Sequence, residues 1–218
     1  SFHGDTAAFL ELLNAYDWDF CQIQYNYADT EEQAGTAGLE YAASKGLGMV
    51  IMEPLRGGKL AVPAPHLAEV FPKEKKPAEW ALDFLWNRPE VSVVLSGMST
   101  EQQVEENLEY ASRSHVGMLK EEDMEMYCRA GEIFNTMALV KCTRCEYCMP
   151  CPSGINIPEI FSIYNRTATD GKNAAKELYK AQETKADACI RCRRCEKVCP
   201  QHIGISAMML EIQEEFQD

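Results

Sequence analysis

The chain has 218 residues, 46% hydrophobic and 25% charged, the make-up of an ordinary soluble globular protein with room for one large domain or two modest ones. Its formal net charge of −13 excludes non-specific nucleic-acid binding, which needs a surplus of Lys and Arg, and is read as a solubility charge. The longest apolar stretches, such as Gly48–Ile51 and Val91–Leu95, are far too short to span a bilayer, and no basic region followed by an apolar core marks a signal peptide at Ser1–Asp5.

Thr6 to Tyr16 reads as an amphipathic helix with Phe9, Leu10, Leu12 and Leu13 inward. Phe20–Tyr25 alternates and is rich in aromatics, which predicts a strand. Thr30, with Glu31 and Glu32 in the first turn, is expected to cap a helix that runs to Lys45 and closes at Gly46. The continuous apolar run Gly48–Met52 predicts a buried strand. After a Pro/Gly-rich loop, Pro77 opens a helix carrying Trp80, Leu82, Phe84, Leu85 and Trp86. Val91–Leu95 is a third strand, and Thr100 with Glu101 and Gln103 caps the next helix through Ala111. A helix over Glu121–Ala138, with Met124, Tyr127, Cys128, Ile133 and Phe134 on its apolar face, connects to a cysteine-rich part whose short helices span Ile157–Asn165 and Asn173–Ala181.

Strand–helix alternation predicts parallel strands with right-handed crossovers. Three strands, with a strand remnant at Ser1–His3, are too few to close a barrel that needs about 250 residues. The expected fold is therefore α/β, the second half of a (β/α)₈ TIM barrel whose first half is absent, followed by a small all-helical two-cluster ferredoxin-like domain. The expected boundaries are residues 1–117 for the half-barrel, 118–140 for the connecting helix and 141–218 for the metal domain.

Eight of the ten cysteines lie in two short runs. Cysteines three residues apart are poor disulfide partners but good convergent metal ligands, which points to a reducing, cytoplasmic compartment. The second run, Cys189-x2-Cys192-x2-Cys195-x3-Cys199-Pro200, has the bacterial ferredoxin spacing, in which three cysteines hold one [4Fe–4S] cube and the fourth ligates the other. The first, Cys142-x2-Cys145-x2-Cys148-x2-Cys151-Pro152, is one residue short before its last cysteine. By that rule one cluster takes Cys142, Cys145, Cys148 and Cys199, and the other takes Cys189, Cys192, Cys195 and Cys151. Lys141, Arg144, Arg191, Arg193, Arg194 and Lys197 flank these cysteines; they offset cluster charge, are simply solvated, or form a docking patch for an acidic redox partner. The competing reading is structural zinc, which pairs two C-x2-C knuckles and fits a third equally spaced cysteine less well. Cys21 and Cys128 are expected to be small buried hydrophobes.

Three segments resemble the aldo-keto reductase superfamily: Gln22–Asn26, Met52–Leu60, and Ser96-Gly97-Met98 leading to Glu106-Asn107. Together with the cysteine-rich tail they are similar to the branch of that superfamily that carries a C-terminal ferredoxin-type domain, over nearly the whole chain. The resemblance implies NAD(P)H as cofactor of the full-length protein. In the family the residue at Gln22 holds the nicotinamide carboxamide, with Ser1 as a weaker contact. The loop Pro54, Leu55, Gly57, Gly58 lies along the pyrophosphate, where glycines let the backbone approach closely. Gly97 lies at the next strand end, and Glu106 and Asn107 touch the adenine.

Several positions depart from the family. Met52 stands where many members stack an aromatic ring, Gln103 replaces an Arg used on the 2′-phosphate, and Ser96–Ser99 lacks the matching Lys, so NADH or dual use is open. The catalytic Asp, Tyr, Lys and His of the family map to no residue here, and His3, His66, His115 and His202 are expected to be surface or structural. The chain is thus expected to be the C-terminal part of an iron–sulfur oxidoreductase acting on a small-molecule carbonyl or other redox substrate, with little reductase activity alone and an electron-transfer protein as a candidate partner. A hydride donor moves two electrons and a cluster one, and no flavin site that would couple them is identified. The alternative is an electron carrier or subunit whose barrel half is only scaffold.

Overall fold

Gly48–Met52, the apolar run that reads as a buried strand, is the centre of a three-stranded parallel sheet. The computed structural model describes residues 1–217, and the chain divides into two compact units, Ser1–Phe134 and Asn135–Asp218. In the first unit α1 (Thr6–Ala15), β1 (Phe20–Gln24), α2 (Gly35–Ser44), β2 (Gly48–Met52), α3 (Pro65–Ala68), α4 (Pro77–Trp86), β3 (Val93–Val94) and α5 (Glu101–Arg113) follow one another. The boundary falls inside α6 (Glu121–Met137). The second unit contains α7 (Ile157–Thr169), α8 (Lys172–Lys180), a 3₁₀ turn at Ala186–Ala188, α9 (Arg194–Lys197) and α10 (Ile205–Phe216), with no strand among the described residues.

The sheet order is β1-β2-β3, with Ile23 opposite Ile51 and Ile51 opposite Val94. Hydrogen bonds from Ser92 N to Met49 O and from Leu95 N to Ile51 O carry the pairing beyond the two residues of β3, as the Val91–Leu95 run predicts. At the other edge, Phe2 N donates to Gln22 O at 2.9 Å. Side chains alternate between faces. Ile23, Met49 and Ile51 are fully buried on one face, whereas the opposite face carries Phe20, Val93 and Leu95, all exposed, beside half-buried Gln22, Val50 and Met52.

An aromatic cluster holds the first unit together. The ring of Tyr127 on α6 lies 5.2 Å from Phe84, 5.5 Å from Phe71 and 5.6 Å from Tyr27, and its hydroxyl donates to the Trp80 carbonyl at 2.7 Å. Burying each such ring contributes roughly 1.5–3 kcal/mol. In the second unit, Tyr179 of α8 stacks on Phe216 of α10 at 4.6 Å, over a core of Ile160, Phe161, Met209 and Ile212.

Several elements differ from expectation. Helix α2 starts at Gly35 rather than after Thr30, and its N-cap, Ala34, offers no side-chain cap. Asp29 is drawn inward to Arg56, Gln33 and Gly35 take left-handed φ of 56° and 59°, and the Thr30 carbonyl is spent accepting from Thr36 N at 2.7 Å. On α1 the buried residues are Phe9 and Leu13, one turn apart, while Leu12 is exposed. Cys128 is also exposed, because α6 packs through Tyr127, Ala130, Gly131 and Phe134 instead. The side chain of His66 lies outside what the structure describes. No helix among the described residues is long and apolar enough to cross a membrane.

Candidate functional site

The C-terminal ends of β2 and β3, with the start of α5, surround a cavity of about 570 Å³. Its shape is set by the loop after β2, where Glu53, Arg56, Gly57 and Gly58 all have left-handed φ (55°, 48°, 61° and 86°). For the two non-glycine residues that conformation costs roughly 1–2 kcal/mol each. A buried polar network offsets it. Arg56 pairs with the Asp29 carboxylate, which also accepts from Gln24 Nε2 at 2.8 Å and Asn26 Nδ2 at 3.0 Å, while Asn26 Nδ2 holds the Glu53 carbonyl at 2.9 Å. The Arg56 guanidinium lies 5.1 Å over the Phe134 ring. Gly57 and Gly58 are left exposed on top of this loop, and a side chain at Gly58 would enter open space.

The cavity brings together Met52, Pro54, Leu55, Gly57 and Gly58 on one side with Gly97, Gln103, Glu106 and Asn107 on the other. Asn107 Nδ2 donates to Ser96 Oγ at 3.1 Å, fixing α5 to the end of β3. Gln103 completes a capping box with Thr100, so its side-chain oxygen is spent on the amides of Ser99 (2.8 Å) and Thr100 (3.3 Å). Hydrogen bonds from Lys76 and then Gln102, both at 2.6 Å, hold the Glu106 carboxyl below the usual carboxylate range. Gln22 does not line the cavity; its Nε2 contacts Met52 Sδ at 3.4 Å, one step behind the wall. Ser1 is exposed and also outside it. Sequence reasoning missed Glu53, a lining residue whose carboxyl is raised by burial against the opposing effect of the Gly57 N–H. Its left-handed φ runs against the extended bias of a residue preceding proline, so no local signal marked it.

In the second unit the two cysteine runs have the same backbone. The residues on either side of the second cysteine are left-handed in both: Arg144 and Glu146 (61° and 63°), Arg191 and Arg193 (54° and 56°). Each run closes with Cys-Pro and a third left-handed residue, Gly154 (74°) or His202 (50°), whose N–H donates to Cys151 O at 2.9 Å or Cys199 O at 3.1 Å. Then Ile155 and Ile203 accept from the first residues of α7 and α10, at 3.0 and 2.8 Å. The extra residue of the second run falls in the turn of α9, upstream of this repeat.

Successive amides around left-handed residues form concave anion sites of the kind found at Fe–S centres. Arg144 N donates to Cys142 Sγ at 3.4 Å, and the Cys195 sulfur accepts from its own amide and that of Glu196. Burial, with the nearby Cys142, Cys145 and Cys199 sulfurs, pushes the Cys148 thiol up to about 12.

The eight cysteines line two cavities. One, of about 20 Å³, is bordered by Cys142, Cys145, Cys148 and Cys199; the other, of about 440 Å³, by Cys148, Cys151, Cys189, Cys192 and Cys195. Each therefore takes its last cysteine from the other run, with Cys148 touching both. No disulfide joins the cysteines, and among the described residues no three His, Cys, Asp or Glu side chains close on a single-ion position. The donor set, thiols with backbone N–H groups turned toward them, suits an anionic iron–sulfur group.

Comparisons with known proteins follow the same division. Residues 138–203 match the model of the 4Fe-4S dicluster domain and residues 5–127 that of the Aldo/keto reductase family. No curated protein matches the chain. A solved structure, aldo-keto reductase AKR11C1 from Bacillus halodurans in its holo form, is similar at 19% identity and a TM-score of 0.50, over 58% of this chain and 47% of its own, a likeness of fold. The chain thus spans about half the length of that relative. With more than half of its residues matched by the family model, this chain belongs to the aldo/keto reductase family.

Proposed function

We propose that the chain is part of an iron–sulfur oxidoreductase, working in a reducing cytoplasm, in which a nicotinamide-binding half-barrel is followed by a domain holding two [4Fe–4S] clusters with exchanged fourth ligands. The observation that carries this reading is the partition of the cysteines: the last cysteine of each run borders the cavity of the other. Cys142, Cys145, Cys148 and Cys199 would hold one cluster, and Cys189, Cys192, Cys195 and Cys151 the other. The clusters supply one-electron transfer when bound. The chain's own contribution is to aim backbone N–H groups at the sulfurs and to wall the sites with Ile155, Ile157, Ile205 and Met209.

On the first unit, the Gly57-Gly58 loop is the candidate cradle for a pyrophosphate, with Glu106 and Asn107 placed for an adenosine and Gln22 and Met52 near the nicotinamide end. Gln22 would act through the β2 end it touches, Ser1 as an outlying contact. Residues 1–117 would form the second half of the barrel, 118–140 the connector and 141–218 the cluster domain. The acid–base groups for reduction of a carbonyl or related substrate are not among the residues assigned.

Anaerobic reconstitution with iron and sulfide tests the reading. About eight iron atoms per chain and a broad visible absorption that bleaches on reduction are expected; a colourless protein carrying stoichiometric zinc would overturn it. For the first unit, ADP-ribose should bind and protect the Gly57–Gly58 amides from exchange, and no protection there would remove the cofactor assignment.

A further inference from the structure

The two cysteine-lined cavities differ in what surrounds them. At the smaller, Arg144 is tied to Glu159 at 3.0 Å and Glu146 adds a negative charge. At the larger, the mouth is ringed by Arg191, Arg193 and Arg194, with Lys197 one helical turn on, all exposed. Among the described residues Arg191, Arg194 and Lys197 make no ion pair. Arg193 Nε stands 4.0 Å from a Glu196 carboxylate that is already engaged by the Ser206 hydroxyl at 2.6 Å and amide at 2.7 Å. Residues 135–218 carry as many acidic as basic residues, so cations gathered without carboxylates at one opening are a local surplus.

The same opening exposes apolar surface. Tyr147, Ile190 and Val198 line it and are 64%, 69% and 49% exposed. An apolar centre inside a charged rim is the anatomy of a protein interface, in which the centre contributes contact and the rim steers and orients.

We propose that this mouth is the docking surface for a small acidic one-electron carrier protein, which exchanges electrons at the site bordered by Cys189, Cys192 and Cys195. The inference rests on the iron–sulfur reading above. One electron passes between site and carrier, no bond is made or broken, and whichever partner is oxidised loses what the other gains. A compact acidic carrier can cover both the apolar centre and its cationic rim, whereas a polyphosphate would engage the rim alone.

The test uses the full chain loaded with iron and sulfide, titrated calorimetrically with an acidic flavodoxin and, separately, a basic cytochrome c as probes. The flavodoxin is expected to bind, with affinity falling about tenfold or more between low and physiological salt. The variant R191E/R194E/K197E should weaken it by a similar factor while iron content and visible spectrum stay unchanged. If charge reversal impairs loading, the neutral variant R191Q/R194Q/K197Q gives the same comparison. As a control away from the mouth, K172E, which reverses the cation of the Lys172–Glu215 pair, should have no effect. Flavodoxin affinity indifferent to salt and to the variants overturns the proposal, as does tighter binding of cytochrome c or of a single-stranded RNA oligomer. Cations that merely offset cluster charge would reveal themselves by a shifted reduction potential with unchanged flavodoxin affinity, which also overturns it. A chain that takes up no iron is recognised by its lack of colour before any carrier is added; that result sinks the iron–sulfur reading and the docking surface with it.

Discussion

Arg56 donates into the carboxylate of Asp29 with both side chains sealed from solvent, and that pair joins the loop after β2 to the turn after β1. Removing one partner leaves an uncompensated buried charge. Asp29→Ala should therefore cost about 3–5 kcal/mol, read as a fall in the urea midpoint. The double variant D29L/R56M should regain much of that loss, because a buried pair exchanged for apolar groups is often neutral. It should still bind ADP-ribose more weakly than the parent, since the ion pair that helps hold this loop in its left-handed turn is then gone.

Gly131 of α6 lies against the backbone of Tyr27, and a methyl group there would stand 2.8 Å from the Tyr27 carbonyl oxygen. A backbone atom cannot swing aside as a side chain can. Gly131→Ala is expected to destabilise the first unit by about 1–3 kcal/mol through overpacking, outweighing the gain in helix propensity. Gly46 makes the comparison: it has φ of 78° and open space around it, so Gly46→Ala should cost about 1 kcal/mol from conformation alone. Thermal melts of the two variants should rank in that order.

Burial raises the carboxyl of Glu79 above its ordinary range, although Arg113 stands 2.6 Å away and opposes the shift. The folded state then holds this proton more tightly than the unfolded chain, whose value is about 4.3. The contribution to stability is present in full below that pH and is lost as pH rises through the folded value. Glu79→Gln should flatten the stability–pH curve over that window without moving its acid limb elsewhere, as measured by urea unfolding across mildly acidic pH.

Cys199 belongs by sequence to the second run and by position to the first cavity. Cys199→Ser should lower bound iron from about eight to about four atoms per chain. Adding Cys145→Ser to it should remove no more, because both border the same site, whereas adding Cys192→Ser should remove the rest. If C199S/C145S loses all iron and C199S/C192S only half, the ligands are not exchanged.

Much of this was legible. Strand β2 and the start of α4 at Pro77 follow from an apolar run and a proline at N1, and the capping box at Thr100 and Gln103 is a local signal that tertiary structure left intact. The Thr30 cap failed because a long-range pair, Asp29 with Arg56, overrode the local preference. Helix α10 has Ile205, Met209, Ile212 and Phe216 at helical spacing, but no start signal marks it, since its N-cap is Gly204 and its first turn carries no acidic residue. The left-handed residues around Cys145 and Cys192 are all Arg or Glu, which carry no local preference for that conformation, so the matching backbones of the two runs emerge only in three dimensions.

The sharing of cavity walls between distant runs has a bearing on how the protein is made. The small cavity is bordered by Cys199 and the large one by Cys195, each some fifty residues after Cys142–Cys148. A nascent polypeptide still emerging from the ribosome owns three sulfurs of its first site for the whole time it takes to add some fifty further residues. On the iron–sulfur reading proposed above, the first site would be complete only once Cys199 had been added. A chain cut short before Cys199 would keep Cys142, Cys145 and Cys148 but lose the fourth sulfur that borders their cavity.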